Sequence, residues 1–516
     1  MNIADALAAL PSPVVTGEAD GEISAITYSS AEVTPGACFV AIKGKWRDGH
    51  EFIGEALRLG ATLIVGTEPA PADFPPDRVY AQVADSRREL ATLAAAFYGA
   101  PSQRMAVIGV TGTDGKTSVT NLIDAILEAG GWQTGLMSTV DFKIAGVRTQ
   151  NNSRFTTLEA PEVQERLAEM RDAGTQAAVV ETTSSGLALY RVWKIAYDVA
   201  VVTNVTSEHL ELHGTREAYL RAKAMLPEAV DPDTRKRNLG LPNLPTIPKA
   251  CVLNADDSSY DYMRGFSRAP VVSYGLAAEA DVRALNVDLR ADGSSFDVRL
   301  PNGRAFAVNT PLVADYNVSN CLAAISVGYL FGVAPERMTA ALAGFRGVPG
   351  RMERIEMGQP FTVVVDYAHT ADSLEKVLSA LRPLTSGRLI AVFGSAGDRD
   401  RVKRPAMGAV AGRLADFAII TDEDPRTEDA MSILREIAAG AEEVGAHEGE
   451  RYRCVVDRRA GIGAAFAMAQ AGDTILLAGK GHEQSIIIGT EKLPWDDRRV
   501  AREELDTLGF HGAPNV

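Results

Sequence analysis

MAVIGVTGTDGKTSV, residues 105–119, runs a short apolar segment into a glycine-rich turn and then into a helix-forming stretch. Met105 to Val110 reads as a buried strand. After Ser118, Val119, Leu122, Ile123, Ile126 and Leu127 recur on one helical face until Gly130 and Gly131 stop the helix. A strand, a tight turn and a helix N-terminus aim backbone N–H groups and a positive helix end at phosphates. Gly112, Thr113, Asp114, Gly115, Lys116, Thr117 and Ser118 are therefore the expected cradle for ATP or a relative, with Lys116 as a point charge and Thr117 or Ser118 as a Mg²⁺ ligand. The string departs from the strict pattern at one place, because Val110 stands where a glycine is expected six residues before Lys116.

Outward from this loop the chain reads as α/β throughout. Runs at 177–180 (AAVV) and 199–202 (VAVV) are continuous apolar stretches of the kind that form parallel strands buried on both faces. Ahead of the loop, SAITY, ACFVAIKG, TLIVGT and VYAQV alternate with apolar-faced helices such as Phe52 to Leu59, up to a break at Gly99-Ala100-Pro101-Ser102. Behind it, after Gly347-Val348-Pro349-Gly350, the strands FTVVVDYA, RLIAVFG, FAIITD and TILLAGKG each end in a polar or glycine-rich turn, where open α/β sheets bind ligands. Three domains are expected, at residues 1–101, 102–344 and 345–516, with a central phosphate-loop ATPase sheet. The charged, proline-bearing segment from Pro227 to Lys249 reads as a solvated surface loop.

A length of 516 residues suits about three domains of roughly 150 residues each, and 46% apolar content is ample for their cores. The net charge of −15 disfavours a nucleic-acid surface, which needs a basic excess or stripe. Cys38, Cys251, Cys321 and Cys454 form no CxxC pair, so four buried thiols in a reducing compartment are expected, without disulfides or a zinc ribbon. The N-terminal MNIADALAAL lacks a basic start and a cleavage site, and no apolar run approaches the roughly 20 residues that span a bilayer. A cytoplasmic protein without membrane insertion is the expectation.

Glu181 and Asn204 stand where the AAVV and VAVV strands end, and His209 follows five residues later, so all three can converge on the phosphate loop. Mg²⁺ takes oxygen ligands and keeps several waters, which suits a carboxylate, a loop hydroxyl and phosphate oxygens. His209 and His213 have i,i+4 spacing, but no Glu follows the first His and no third ligand is evident, so zinc is disfavoured.

Taken in order, TGTDGKTS, TNVTSEHLELHGTREAYLRAKAML, VPGRME, VVDYAHTADSLEKVL, VFGSAGDRDRVKRPAMG, DEDPRTED and AGKGHE resemble the motif series of the Mur ligases. The nearest branch is the MurE type, which adds the third residue of the peptidoglycan stem peptide. The resemblance runs from VTPGACFVAIKGKWRDGHEFI to WDDRRVAREEL. It implies a UDP-binding N-terminal domain, a central ATPase and a Rossmann-like C-terminal domain. It also implies an ATP-dependent ligase that joins a diamino acid (meso-diaminopimelate, L-lysine or L-ornithine) to UDP-N-acetylmuramoyl-L-alanyl-D-glutamate through an acyl phosphate. A monomer is expected.

Position by position, the resemblance assigns catalysis to Lys116, Glu181, His209 and Lys223, and the Mg²⁺ sites to Thr117, Glu181, His209 and a carbamylated Lys223. Outside that motif Lys223 would read as a solvated helix residue. Asn317, Arg351, Asp366 and His369 match nucleotide-binding positions, assembled by domain closure. Arg399, Asp424, Pro425, Arg426, Gly479 and Glu483 match positions around the incoming amino acid, while Ser30, Thr156, Thr157, Ser184 and Arg191 fall on the acceptor side. The family's Asp-Ser-Arg is Ser29-Ser30-Ala31 here, its Thr-Thr-Pro is Thr156-Thr157-Leu158, and its Ser-Ser-His is Thr183-Ser184-Ser185. Asp424 replaces a family Asn; an acid there favours an ammonium and tilts the choice toward lysine or ornithine, whereas Arg426 pulls toward diaminopimelate. Two rivals are a folylpolyglutamate-synthetase-like ligase, which would lack the VTPGACFVAIKG module, and a non-catalytic binding protein, which would have no physical reason to keep the charged metal site.

Overall fold

The computed structural model describes residues 1–512 apart from 45–46, 154, 207–209, 235, 237–245, 278 and 291. The chain divides into two compact units. One comprises Met1–Val287, Phe296–Val308 and Val318–Gly344; the other comprises Asp288–Ser295, Asn309–Asn317 and Phe345–Val516.

Two sheets build the first unit. The smaller has the spatial order Val14–Thr16, Val79–Gln82, Leu63–Gly66, Cys38–Val40, Ile26–Thr27, parallel except for its first pair. Its central strands are buried, and apolar clusters around Cys38 and Leu63 and around Phe39 and Ile64 show neighbouring residues serving opposite faces. The helix expected from Phe52 begins as a 3₁₀ turn, Gly49–Phe52, and continues as Ile53–Arg58.

At the heart of the larger sheet, Ala106–Thr111 pairs in parallel with Ala177–Glu181 on one side and Val199–Val202 on the other. Thr134–Met137 extends the first side and Ala250–Asn254 the second, again in parallel. All six residues of the central strand are buried, which explains its unbroken apolar run. The helix Lys116–Ala129 follows and buries Val119, Leu122, Ile123, Ile126 and Leu127. An antiparallel hairpin, Asp141–Ile144 with Val147–Gln150, is tied to that helix. Asp124, with no solvent exposure, takes Lys143 Nζ at 2.7 Å, Arg148 Nη2 at 2.6 Å and Thr134 Oγ1 at 2.6 Å.

The segment 227–249 departs from the solvated loop expected of it. Pro227 to Ala229 finish the helix Arg216–Ala229, and Lys236 is buried, donating to Met105 O at 2.8 Å and pairing with Asp198. Asp198 also takes Lys249 at 3.0 Å and the Val107 N–H at 2.8 Å. Burial pulls the Lys236 ammonium down to about 8. A sequence rich in charge and proline looked solvated because the carboxylate that receives its lysines is distant in the chain.

The second unit carries a six-stranded sheet in the order Glu353–Arg354, Thr362–Asp366, Thr474–Ala478, Leu389–Phe393, Phe417–Ile420, Tyr452–Cys454, parallel except for the first pair. Val364, Ala391 and Leu476 pack into one core with the helices Ala371–Leu381, Lys403–Leu414 and Ala430–Glu443. Val363, Ile390 and Ile475 pack into a second core with Arg458–Met468 and Asp497–Thr507. Helices on both faces of a parallel sheet give the Rossmann-like layering. Beneath the second core Arg458 and Asp497 form an ion pair with no exposure on either side, at 2.6 Å. Three of the four cysteines are buried as expected; Cys454 is only half-buried.

Candidate active site

In the first unit the turn begins at Gly112. Val110 is still in the strand, buried, with its carbonyl accepting the Thr182 N–H, so no glycine is needed at that position. Two glycines are required in the turn: at Gly112, φ +155°, a Cβ would lie 1.8 Å from Thr203 Oγ1, and at Gly115, φ +79°, it would lie 2.5 Å from Asn320 Oδ1. Asn204 braces the loop from the neighbouring strand, its carbonyl accepting from Thr113 N at 2.8 Å and its Oδ1 from Asp114 N at 2.9 Å. Lys116 Nζ folds back onto Gly112 O at 3.0 Å and Thr113 O at 2.7 Å. Thr117 is buried at the first turn of the helix and Ser118 is half-buried beside it.

Glu181 is 1% exposed and sits against this loop. Its Oε1 accepts from Thr117 Oγ1 at 3.0 Å and Thr139 Oγ1 at 2.9 Å, and its Oε2 accepts the Thr139 N–H at 2.8 Å. Lys223 comes from the helix Arg216–Ala229 and is also 1% exposed, contrary to a solvated helix residue. Its Nζ donates to Gly112 O at 2.6 Å and lies 4.6 Å from the Tyr219 ring centroid. His209 lies outside the described residues. His213 is 3.1 Å from Ser184 Oγ through Nε2, and no group of three or more His, Cys, Asp or Glu poised for a metal occurs among the described residues.

The acceptor-side residues gather on the same strand end. Thr157 Oγ1 donates to the Glu181 carbonyl at 3.1 Å and accepts from Thr183 N at 3.0 Å. Thr156 Oγ1 is 3.1 Å from Thr139 Oγ1. Arg191 donates to Thr157 O at 3.1 Å, pairs with Glu159 at 2.7 Å and covers the Phe155 ring at 4.5 Å. Ser30 stands apart, half-buried in the short turn Ser30–Glu32 of the smaller sheet.

In the second unit the strand ends form their own cluster. Asp366 accepts from Met352 N and Ala368 N, each at 2.8 Å, which fixes the loop after its strand. The Arg351 guanidinium lies 4.6 Å over the Tyr367 ring. His369 Nδ1 meets Tyr367 O at 3.0 Å, and burial pushes the imidazole down to about 4. Burial likewise pushes His482 down to about 3, helped by Arg351. Asn317 donates to Val313 O at 2.8 Å within its own segment. Gly479, with φ +109°, donates its N–H to Asp366 O at 3.1 Å.

Asp424 is already paired. Its Oδ1 accepts Lys480 Nζ at 2.8 Å and Ile487 N at 3.0 Å, and the same ammonium reaches Glu483 at 2.6 Å. Asp424 and Glu483 thus share the one Lys480 ammonium, so the charge expected of Asp424 is offset in part. Arg426 has φ +54° and joins the strand Ser485–Ile488 through its N–H to Ile487 O at 3.0 Å, while its Nε has no hydrogen-bond partner among the described residues. The Pro425 carbonyl packs against Gly397, and Gly397 N donates to Asp424 O at 2.8 Å, so the loop bearing exposed Arg399 is docked on the loop bearing Arg426. Fully buried Arg404 clamps the two loops, reaching Ala396 O at 3.1 Å and Glu428 at 2.9 Å. Burial pushes the Glu423 and Glu483 carboxyls up.

The sequence motifs did not single out Thr139, Tyr219, Asn320, Arg404 or Lys480. Tyr219, Arg404 and Lys480 nevertheless stand inside motif strings quoted above, and Asn320 is three residues from Asn317. Thr139 takes its role from a partner far away in the chain, Glu181.

Models of Mur ligase domains match this chain in three places: the family's catalytic domain at residues 22–98, its middle domain at 110–328 and its glutamate ligase domain at 350–481. The chain is 49% identical to a UDP-N-acetylmuramyl-tripeptide synthetase of Roseiflexus sp. (strain RS-1), covering 99% of this chain and 100% of that one. It is 41% identical to a UDP-N-acetylmuramoyl-L-alanyl-D-glutamate--2,6-diaminopimelate ligase of Geobacillus kaustophilus (strain HTA426), with 99% and 100% covered. A solved structure of a UDP-N-acetylmuramoyl-L-alanyl-D-glutamate--2,6-diaminopimelate ligase superposes with a TM-score of 0.67 at 28% identity, covering 99% of both chains.

Proposed function

The chain belongs to the Mur ligase family, and from that premise we propose that it joins a diamino acid, meso-diaminopimelate before lysine or ornithine, to UDP-N-acetylmuramoyl-L-alanyl-D-glutamate. It is an ATP-dependent amide-forming ligase of peptidoglycan synthesis of the MurE type. The observation that carries the reading is the Thr117–Glu181 hydrogen bond, which joins the ATP loop to the strand end where Thr156 and Thr157 gather. A carboxylate is a poor electrophile until one of its oxygens becomes a leaving group. In the first step an oxygen of the acceptor carboxylate attacks the γ-phosphorus of ATP and ADP leaves. In the second the neutral amine of the diamino acid attacks the acyl carbon, loses a proton and expels phosphate. The protein's part is positioning and charge neutralisation.

Lys116 and the loop N–H groups hold the phosphates. Glu181 and the Thr117 hydroxyl, all oxygen donors with no carboxylate cage around them among the described residues, suit Mg²⁺, which binds through one or two carboxylates together with phosphates and water. Bound there, Mg²⁺ supplies charge neutralisation on the phosphates. Lys223 as a carbamate would add two anionic oxygens where an ammonium would repel the cation; its Nζ, buried on the Gly112 carbonyl, is within that neighbourhood. Arg426 receives the second carboxylate of diaminopimelate, and Asp424 and Glu483, which share the single Lys480 ammonium, keep one net negative charge for a substrate ammonium group. The domain boundaries proposed are 1–101, 102–344 and 345–516. No described helix is long and apolar enough to cross a membrane, and the nucleotide substrates fit a monomer working in the cytoplasm.

Purified protein with ATP, Mg²⁺ and UDP-N-acetylmuramoyl-L-alanyl-D-glutamate is offered meso-diaminopimelate, L-lysine or L-ornithine in turn, and phosphate release is measured. Release with meso-diaminopimelate above the others is expected; silence with all three overturns the reading.

A further inference from the structure

Thr139 lies in the turn between the strand Thr134–Met137 and the hairpin that begins at Asp141. It is half-buried and comes from outside the phosphate loop. Its N–H donates to Glu181 Oε2 at 2.8 Å and its Oγ1 is 2.9 Å from Glu181 Oε1, so one residue grips both carboxylate oxygens. The same Oγ1 is 3.1 Å from Thr156 Oγ1. A threonine hydroxyl has a single proton. Thr139 Oγ1 is placed to donate either to Glu181 Oε1 or to Thr156 Oγ1, so the carboxylate and the Thr156 hydroxyl share one proton and are coupled through it.

The turn itself is held firmly. Ser138 N donates to Asp141 O at 2.9 Å, Ser138 Oγ accepts from Val140 N at 3.2 Å and Asp141 N at 3.1 Å, and Asn151 Nδ2 donates to Ser138 O at 3.0 Å. The Asp124–Lys143 pair then locks the hairpin to the loop helix. The other hydroxyl on Glu181, that of Thr117, is one the proposed function gives to the cation. Thr139 differs from Thr117 in holding the carboxylate through two groups, its N–H on one oxygen and its hydroxyl on the other.

We infer that Thr139 is the positioning residue of the reaction, holding the Glu181 carboxylate in its metal-facing orientation and tying that orientation to the acceptor loop through Thr156. This rests on the reading of Glu181 as the metal carboxylate. Hydrogen bonds to charged groups are worth about 1.5–3 kcal/mol, so losing one weakens cation binding roughly ten- to hundredfold.

The test compares Thr139→Val, which keeps the N–H and removes the hydroxyl, with Thr139→Ser, which restores it, and with Thr139→Ala as a second hydroxyl-free variant should valine disturb the fold. Two readouts are taken: the Mg²⁺ dependence of phosphate release, with the acceptor KM separated from kcat, and direct Mn²⁺ binding to the ADP-loaded protein by electron paramagnetic resonance. Valine or alanine should weaken Mn²⁺ binding about tenfold or more and raise the acceptor KM together with the Mg²⁺ requirement, and serine should return both to within about twofold. Unchanged Mn²⁺ binding and KM in both hydroxyl-free variants overturn the inference. Glu181→Gln separates the two levels: if it leaves Mn²⁺ binding intact, the metal reading of Glu181 fails; if it abolishes binding while the Thr139 variants bind normally, only the role of Thr139 falls.

Discussion

Two ammonium groups converge on one oxygen in this molecule: Lys116 and Lys223 both donate to Gly112 O, at 3.0 and 2.6 Å. Like charges that close repel unless something anionic intervenes, which the proposed ATP phosphates beside Lys116 and carbamate on Lys223 would supply. Lys223→Ala should therefore lower turnover by roughly a hundredfold or more, with partial recovery when a small carboxylic acid is added to the phosphate-release assay. Full activity without the acid would remove Lys223 from the reaction. At the amino-acid end, Lys480→Met leaves Asp424 buried and uncompensated, so the ratio of kcat/KM for diaminopimelate over lysine should fall by about tenfold or more. An unchanged ratio would separate Lys480 from specificity. Lys116 and Glu181 were proposed from a phosphate-loop string and a strand end, whereas Lys223 was pointed to only by the family resemblance and otherwise read as a solvated helix residue. Thr139 and Lys480 were not singled out, because their partners Glu181 and Asp424 lie 42 and 56 residues away and only the parallel strand pairing brings them together. The charge of Asp424 was visible in the sequence, and the ammonium beside it, from Lys480, was not.

Among the elements, the loop helix Lys116–Ala129 shows where periodicity stops being informative. Its apolar face was evident from Val119 to Leu127, and the strands on either side of it from their unbroken apolar runs. Asp124 is nevertheless fully buried, beneath Lys143 and Arg148 of the hairpin. A helix pattern can say which residues are apolar, but a buried carboxylate becomes intelligible only when the cations of another element are placed over it. Asp124→Ala would leave the Lys143 ammonium buried with its main partner gone. It should cost about 3–5 kcal/mol in urea unfolding, well beyond a surface substitution, and the double variant Asp124→Ala with Lys143→Met should recover much of that loss. The segment after Pro227 failed as a loop reading by the same physics, with Asp198 as the hidden partner of Lys236.

For the whole molecule, the three-domain α/β plan was legible from strand and helix alternation, and the second unit brings its own pair of cores on the two faces of its sheet. Residues 345–516 expressed alone should therefore unfold cooperatively in urea; a featureless transition by circular dichroism would reject the proposed boundary at 345. Acid should weaken this unit through its histidines. His369 and His482 fall from 6.5 to about 4 and about 3, so protons bind more readily to the unfolded chain; the stability they protect is complete above 6.5 and drains away as pH falls toward those lower values. Asp422, pushed up to about 6 by burial, runs the opposite way, so the contribution of His482 is best read as a difference. Between pH 6 and 4 the wild type should lose stability faster than His482→Gln, by about 1.4 kcal/mol per pH unit, in urea titrations at each pH. The Arg458–Asp497 pair carries a last consequence, in temperature. Ions held at zero exposure pay a hydration penalty, and water solvates ions less favourably as it warms. The pair should hence weigh least in the cold and progressively more as the molecule is heated, while apolar burial levels off, so the second unit carries a contribution to its heat resistance that measurements at 25 °C alone would understate.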